Sequence, residues 1–495
     1  MTSVKNVAAV DLGAESGRVI VASFDGAVLR LDEAHRFPNE PVRVRSASRA
    51  GDNLHWDVLR LFHEIKTGLG RAARKATLSS AGLDTWGVDF ALLDPRDRLF
   101  GNPYHYRDAR NDGMFDVIFQ RVPRETVFER TGIQFLPFNS LPQLMAMVED
   151  HDDALDAAQT FLTVPDLFNF WLSGVKACEF TNATTTQMYD TRAGAWARGM
   201  LATLDIPSHI FPDVVQPGTM LGAMLPAVSA ETGLPAIPLI APACHDTGSA
   251  VAGTPLTSAR SAYISSGTWS LIGVEAQAPV ITAQALAGNF TNEGGVNGTV
   301  RLLKNVMGLW LLQESRRTWA HDGHEYGYAE LARLASEAQP FVSLIEPDDP
   351  SFLAPGDMPA RIRAYCTARG QHAPSGVAET ARCIFDSLAL KYRLILEKLE
   401  GMLKRSIDAV HVVGGGSQNA LLCQLTADAA RKPVYAGPVE ATAIGNALVQ
   451  LIALGAIGSL EEGRAIVAHS FPATTYEPRP MPGLDEAFAR FKLLG

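Results

Sequence analysis

Apolar residues in this chain gather in short unbroken runs that end on acidic residues and small-residue turns. The first run, VAAVDLG, closes on Asp11 and Gly13; AESGR follows, and then a second run, VIVASF. Asp25-Gly26 leads from there into AVLRL, and an Asp-Gly pair between such runs is a strong hairpin signal. The expected order is strand, glycine turn, strand, hairpin turn, strand. SAGLDTWGVDFALLD, from Ser80 to Asp94, reads as a further apolar strand. TGIQFLPFNSLPQL reads as a loop entering a helix, and ALDAAQTFLTVPDLFNFWLSG as helix in two pieces broken at Pro165. LPAIPLIAPA has the pattern of a buried strand, and the small residues after Asp246 suit a helix start that backbone or ligand approaches closely.

The second half repeats the opening. SAYISSGTWSLIGVEA gives strand, small-residue turn (Ser265-Ser266-Gly267-Thr268), strand, and two such units about 250 residues apart point to a duplicated architecture. The pattern then turns helical. LKNVMGLWLLQESRRTW, from Leu303 to Trp319, has apolar residues at helical spacing, and the stretch from Ala378 to Leu403 is the longest amphipathic helix. AVHVVGGGSQNALLCQLTADAA reads as a buried strand, three glycines (Gly414 to Gly416), and a helix from near Gln418-Asn419; a small-residue helix follows from about Ala441.

Composition narrows the classes. A chain of 495 residues is too long for one ordinary core and is expected to form two to three domains. Hydrophobic residues make up 47% and charged residues 19%, and no apolar run approaches the roughly 18 residues that span a bilayer. MTSVKNVAAVDLG lacks the apolar stretch and cleavage site of a signal peptide, so a cytoplasmic protein is expected. A net charge of -10 argues against a general nucleic-acid or anionic-membrane binder. The five cysteines are scattered and form no CxxC, which points to neither zinc nor a disulfide framework; Cys366 and Cys383 are expected as reduced thiols.

The chemistry that remains is phosphate handling. GxxxxGK[ST] and GxGxxG are both absent, whereas three glycine turns, Gly13 to Gly17, Ser265 to Thr268 and Gly414 to Gly416, each follow a buried strand. With Asp11 and Asp246 they point to a nucleotide in a cleft between two half-molecules. In CHDTG, Asp246 is read either as a base at a strand end or as a helix cap, with His245 filling a polar niche in the second case. Asp84 and Asp89 are a strand-end cap and a metal or sugar contact, in either order. Arg107 and Arg110 grip a ligand or pair with Asp108 and Asp112 on the surface, and Trp86 and Trp269 are core residues.

The order DLGAESGR, CHDTGSAVAG, SSGTWSL, VGGGSQN resembles the FGGY carbohydrate kinases of the actin-like, ribonuclease-H-like ATPase superfamily, over nearly the whole chain. The longer runs LDTWGVDFALLD, YRDARNDG, EFTNATTTQ, NEGG, LKNVMGLWLLQ and ARCIFDSLAL are similar to the branch of that family acting on L-rhamnulose. Where xylulose and glycerol kinases commonly carry Trp-x-Asp-x-Arg, this chain has Tyr106-Arg107-Asp108-Ala109-Arg110. The resemblance implies an α/β fold of two actin-like domains, residues 1–253 and 254–495, each a mixed β-sheet flanked by helices, with an active-site cleft between them. It implies that Ala14, Glu15, Ser16, Gly17 and Arg18 form a first phosphate loop and Thr268 a second, and that Gln313 and Gly415 contact ATP. Gly87, His245, Asp246, Thr247 and Asn305 would line the sugar site, Asp246 as catalytic base, while Asp11 would help to hold Mg²⁺ through water. The implied activity is transfer of a phosphoryl group from ATP to L-rhamnulose, with L-fuculose, D-xylulose or glycerol as alternative acceptors and an actin-like motor or chaperone ATPase as the alternative class. No nucleic-acid or membrane partner is expected, and the protein is expected as a monomer or dimer.

Overall fold

The computed structural model describes residues 4–46 and 51–494, so Met1, Thr2 and Ser3 of the amino-terminal run read for a leader lie outside the described residues. The chain forms two compact units. One gathers Met1–Gly253, Glu275–Leu302 and Ala441–Ser470; the other gathers Thr254–Val274, Leu303–Glu440 and Phe471–Gly495.

The first unit is built on a mixed sheet of six strands, in the order Met220–Ala223, Pro238–Ile240, Ser80–Thr85, Lys5–Leu12, Ser16–Phe24, Leu29–Pro38. Lys5–Leu12 is apolar from Val7 to Val10 and buried from Val7 onward, because helices cover both of its faces. Ala8, Val10 and Leu12 pack with Leu61, Ile65 and Leu69 of the helix Val58–Lys75, whose start Asp57 caps through Arg60 N at 3.1 Å. Ala9 packs instead with Ala443 of the helix Ala441–Ala453. That second helix is made of small residues because it is crowded: a Cβ on Gly445 would stand 1.8 Å from Ser249 O, and one on Gly253 would stand 2.2 Å from Ala441 O. Its polar residues grip the sheet. Gln450 donates to Ala8 O at 3.0 Å and accepts from Ser80 Oγ at 2.7 Å, and Asn446 donates to Asp84 Oδ2 at 2.6 Å.

Three stretches of the first unit differ from the pattern reading. Ser80–Asp94 is two strands: Ser80–Thr85 enters the large sheet, and Phe90–Leu93 pairs with Thr160–Thr163 in a separate two-stranded sheet. Between them Val88 takes a left-handed φ of 69°, which no continuous strand contains. The stretch around Pro165 is a short helix Asp153–Asp156, the strand Thr160–Thr163 and a helix Val164–Ser173 that has Pro165 in its first turn. Proline there starts a helix, since the missing N–H would have had no partner anyway. Of LPAIPLIAPA only Pro238–Ile240 is strand.

In the second unit Ser261–Ser266 runs antiparallel to Trp269–Ala276 and parallel to Ala409–Val413, with Val434–Ala436 and Thr474–Tyr476 following on that side. The same strand, turn, antiparallel strand and distant parallel strand occur in the first unit, where Lys5–Leu12 is flanked by Ser16–Phe24 and Ser80–Thr85. The longest helix is Gly376–Leu403. The helical reading of Leu303–Trp319 is corrected in its first part: Leu303–Met307 completes the strand Val300–Met307, and the helix begins at Trp310. A strand buried on both faces loses its alternation, so its apolar spacing imitates a helix. Among the described residues no helix is long and apolar enough to cross a membrane.

Candidate functional site

The carboxyl ends of two parallel strands place Asp11 and Asp84 side by side. The segment leading to Asp246 runs alongside, joined by Thr85 N to Cys244 O at 2.9 Å and by a parallel bridge between Thr85 and His245. Asp246 is the first residue of the helix Asp246–Ala252, and His245 holds the cap position without using its side chain there. The cap reading of Asp246 therefore gives way: its Oδ1 accepts from its own neighbour, Thr247 N at 2.5 Å and Thr247 Oγ1 at 3.1 Å.

Charge is concentrated here. Burial raises the Asp246 carboxyl above its ordinary range, His245 works against that rise, and the charge of Asp11 adds to it. Asp84 is raised well above the carboxylate range by burial and by Asp11, opposed by the hydrogen bond from Asn446 and raised further by Asp246. Asp11 has a partner, Arg18, with Nε at 2.9 Å and Nη2 at 2.8 Å from Oδ2. Asp84 Oδ1 is buried without a hydrogen-bond partner. Asp84 and Asp246, both raised by the charge of Asp11, with an orphaned oxygen on Asp84, suit a hard divalent cation. Among the described residues no group of three or more His, Cys, Asp or Glu stands together as a ready set of metal ligands, and Asp11 is engaged by Arg18.

His245 is 7% exposed and held from three sides. Its Nδ1 lies 3.0 Å from Arg301 Nη2 and 3.3 Å from Glu293 Oε2, while Nε2 lies 3.5 Å from Asp246 Oδ1. Arg301 is fully buried, donates from Nε to Gly294 O at 2.8 Å, and pairs with Glu293 at 3.2 Å. A guanidinium only donates, so whenever the ring is neutral Nδ1 accepts from Arg301 and the ring proton stands on Nε2, on the side of Asp246. A side chain at Gly87 would crowd this ring, since a Cβ there stands 3.3 Å from His245 Nε2 and 3.1 Å from Thr185 Oγ1. Val88 N bonds to Thr185 Oγ1 at 3.1 Å, which helps to hold the left-handed residue beside the ring.

Glu293 and Arg301 stand outside the site residues that the sequence points to. The available signal was an arginine inside the apolar run VRLL, where a charge is costly without a partner. Asp89 is neither a strand-end cap nor exposed. It accepts from Trp56 Nε1 at 2.5 Å, Gln143 Nε2 at 2.8 Å, Trp86 Nε1 at 2.9 Å and Tyr106 N at 3.3 Å, and burial raises it to about 7. Arg110 is buried against the Tyr104 ring, 3.8 Å from its centroid, so its surface-pair reading is corrected. Trp86 is a core residue, as its position beside a buried strand implied.

The turn at Ala14 and Glu15 is closed by Gly13 N to Ser16 O at 2.9 Å and braced by Asn39, whose Nδ2 donates to Gly13 O at 2.9 Å. Gly17 lies against the Phe37 ring, 2.4 Å from where a Cβ would stand. In the second unit, Thr268 O accepts from Gly308 N and Trp310 N, each at 3.1 Å, which ties that turn to the helix Trp310–His321. Gln313 lies one turn into that helix, with a buried Oε1 that has no hydrogen-bond partner. Gly414 and Gly416 press on the end of Ser261–Ser266, with would-be Cβ atoms 2.9 Å from Ser266 O and 2.0 Å from Ser266 Oγ. Gly415, between them, faces open space. Asn305 lies on the strand Val300–Met307.

Carboxylates at parallel strand ends, small-residue turns and the absence of a P-loop motif define the class as a phosphotransferase on a duplicated α/β ATPase fold. The chain belongs to the FGGY family of carbohydrate kinases: the N-terminal domain of the family matches residues 7–253 and the C-terminal domain matches residues 262–454. It is similar to the rhamnulokinase of Bacteroides thetaiotaomicron, 45% identical over 489 residues and 99% of each chain, and to that of Pectobacterium atrosepticum, 46% identical over 99% of this chain and 97% of the other. Its fold is that of the xylulose kinase from Rhodospirillum rubrum (TM-score 0.79, 17% identity, 99% of this chain and 98% of the other). A glycerol kinase from Plasmodium falciparum, solved with ADP, shares it as well (TM-score 0.77, 12% identity, 99% and 96%).

Proposed function

We propose that this chain transfers the γ-phosphoryl group of ATP to the 1-hydroxyl of L-rhamnulose, giving L-rhamnulose 1-phosphate and ADP in the cytoplasmic breakdown of L-rhamnose. Full-length similarity to rhamnulokinases supports the substrate. The observation that carries the chemistry is Asp246, a partly exposed carboxyl at the start of a helix, raised above its ordinary range and bonded to Thr247 N at 2.5 Å.

A sugar hydroxyl is a poor nucleophile near neutral pH, and a base whose affinity for protons is raised toward that pH accepts its proton more effectively. Asp246 takes the proton of the 1-hydroxyl as the oxygen bonds to the γ-phosphorus and the bond to the ADP oxygen breaks. His245, with its proton on Nε2, donates to a sugar oxygen; Gly87 leaves room for the ring, and Thr247 and Asn305 contact the sugar. Ala14, Glu15, Ser16, Gly17 and Arg18, together with Thr268, contact the phosphates, and Gln313 and Gly415 contact the rest of ATP. Mg²⁺, when bound with ATP, neutralises charge on the phosphate oxygens, with Asp11 holding it through water.

ADP release with L-rhamnulose, L-fuculose, D-xylulose and glycerol side by side tests the acceptor. L-Rhamnulose is expected to exceed the others by at least about tenfold in kcat/KM, and equal turnover across the panel overturns the assignment. ATP turnover independent of sugar would point to a motor-type ATPase. Asp246→Asn is expected to lower kcat by at least about 10²-fold while ATP still binds, and an unchanged kcat removes Asp246 as the base.

A further inference from the structure

The second unit contains a cavity of about 300 Å³ that the proposed reaction does not use. Its size falls at the lower end of small-molecule sites, which run from about 300 to 1,000 Å³. The exposed Gln339 and His372 stand on its rim, and Glu379, Arg382, Cys383 and Asp386 enter it from the helix Gly376–Leu403.

Its floor contains an unspent donor. The Arg382 side chain is 7% exposed; Nε donates to Asp386 Oδ1 at 2.9 Å, Nη1 reaches Ala335 O at 3.5 Å, and Nη2 is buried without a hydrogen-bond partner. A charged N–H buried in that state is costly, so the position calls for an acceptor from outside the chain. Acceptors face it. Asp386 Oδ2 takes one bond, from Phe341 N at 2.7 Å. The three bonds to Glu379, from Ser375 N, Ser375 Oγ and His372 Nε2, all fall on Oε2 and leave Oε1 for another donor.

Two carboxylates against one guanidinium disfavour an anion, whereas a hydroxyl both accepts and donates. We propose that this cavity is a second small-molecule site for a neutral polyhydroxylated ligand of monosaccharide size, with Arg382 Nη2 donating to one hydroxyl oxygen and Glu379 and Asp386 accepting hydroxyl protons.

The test uses saturation-transfer NMR with myo-inositol, glycerol, D-glucose and inorganic phosphate as probes of the full chain. Replacing Arg382 would strip the buried Asp386 of its cation, so Glu379→Gln, at the rim, is the informative variant. At least one neutral probe is expected to bind the wild type. Glu379→Gln is expected to weaken it by at least about fivefold, the loss of roughly one hydrogen bond, with ADP release under saturating sugar and ATP unchanged. Binding that the variant leaves intact, binding of phosphate alone, or no binding by any neutral probe, with water alone filling the cavity, overturns the proposal.

Discussion

Arg301 is the residue through which the fold orients His245, since its guanidinium stands at Nδ1 and, in the neutral ring, leaves the proton to Nε2. In Arg301→Met the ring is free to take the other tautomer and Glu293 loses its cation. Steady-state kinetics is expected to show kcat down by at least about tenfold with the KM for ATP unchanged, and partial rescue in Arg301→Lys. Asp89 belongs to the same scale but acts on stability. Its carboxyl is raised to about 7 in the folded chain from 3.8, so the unfolded chain binds fewer protons than the folded one between those values. Its contribution is fully present below about pH 4 and is lost as pH rises through 7, by up to about 1.4 kcal/mol per pH unit. Glu179, also raised to about 7 by burial, carries the same sign. Melting at pH 5 and pH 8 is expected to show a higher Tm at pH 5, and Asp89→Asn is expected to shrink that difference; an unchanged difference would remove Asp89 as its source.

Among the elements, the helices Asp246–Ala252 and Ala441–Ala453 meet at Gly445 with no space for a methyl group. Gly445→Ala is expected to destabilise by at least about 2 kcal/mol in urea unfolding, because the atom it strikes is backbone and cannot swing aside. The sequence showed those elements unevenly. The helix start at Asp246 is legible because small residues follow it directly, although the strand before it, Pro238–Ile240, ends short of His245. Asp11 and Asp84 are legible as polar residues near the ends of apolar runs, and strand pairing sets them side by side. Glu293 and Arg301 are not, since Arg301 meets His245 across 56 residues of chain and nothing local records that meeting. Pro165 reads as a breaker because proline's two roles differ only by where the helix begins, and Leu303–Met307 reads as helix because burial on both faces erases the strand period.

At the scale of the molecule, the first unit is not a continuous half of the chain. Its sheet takes a backing helix from Ala441–Ser470, and that segment supplies Asn446 to Asp84 and Gln450 to Ala8. A fragment of residues 1–253 therefore lacks the layer that covers Ala9 and Ile20, and it is expected to show low amide-exchange protection in Lys5–Leu12; addition of a peptide spanning 441–470 is expected to raise that protection. Synthesis proceeds from the other end. The strand edge bearing Asp11 and Asp84 leaves the ribosome while the helix that seals it still lies hundreds of codons downstream, a wait of tens of seconds at about 5–20 residues per second. For that interval the face of the nascent sheet that Ala441–Ala453 comes to cover, with Ala9 and Ile20 on it, is bare apolar surface.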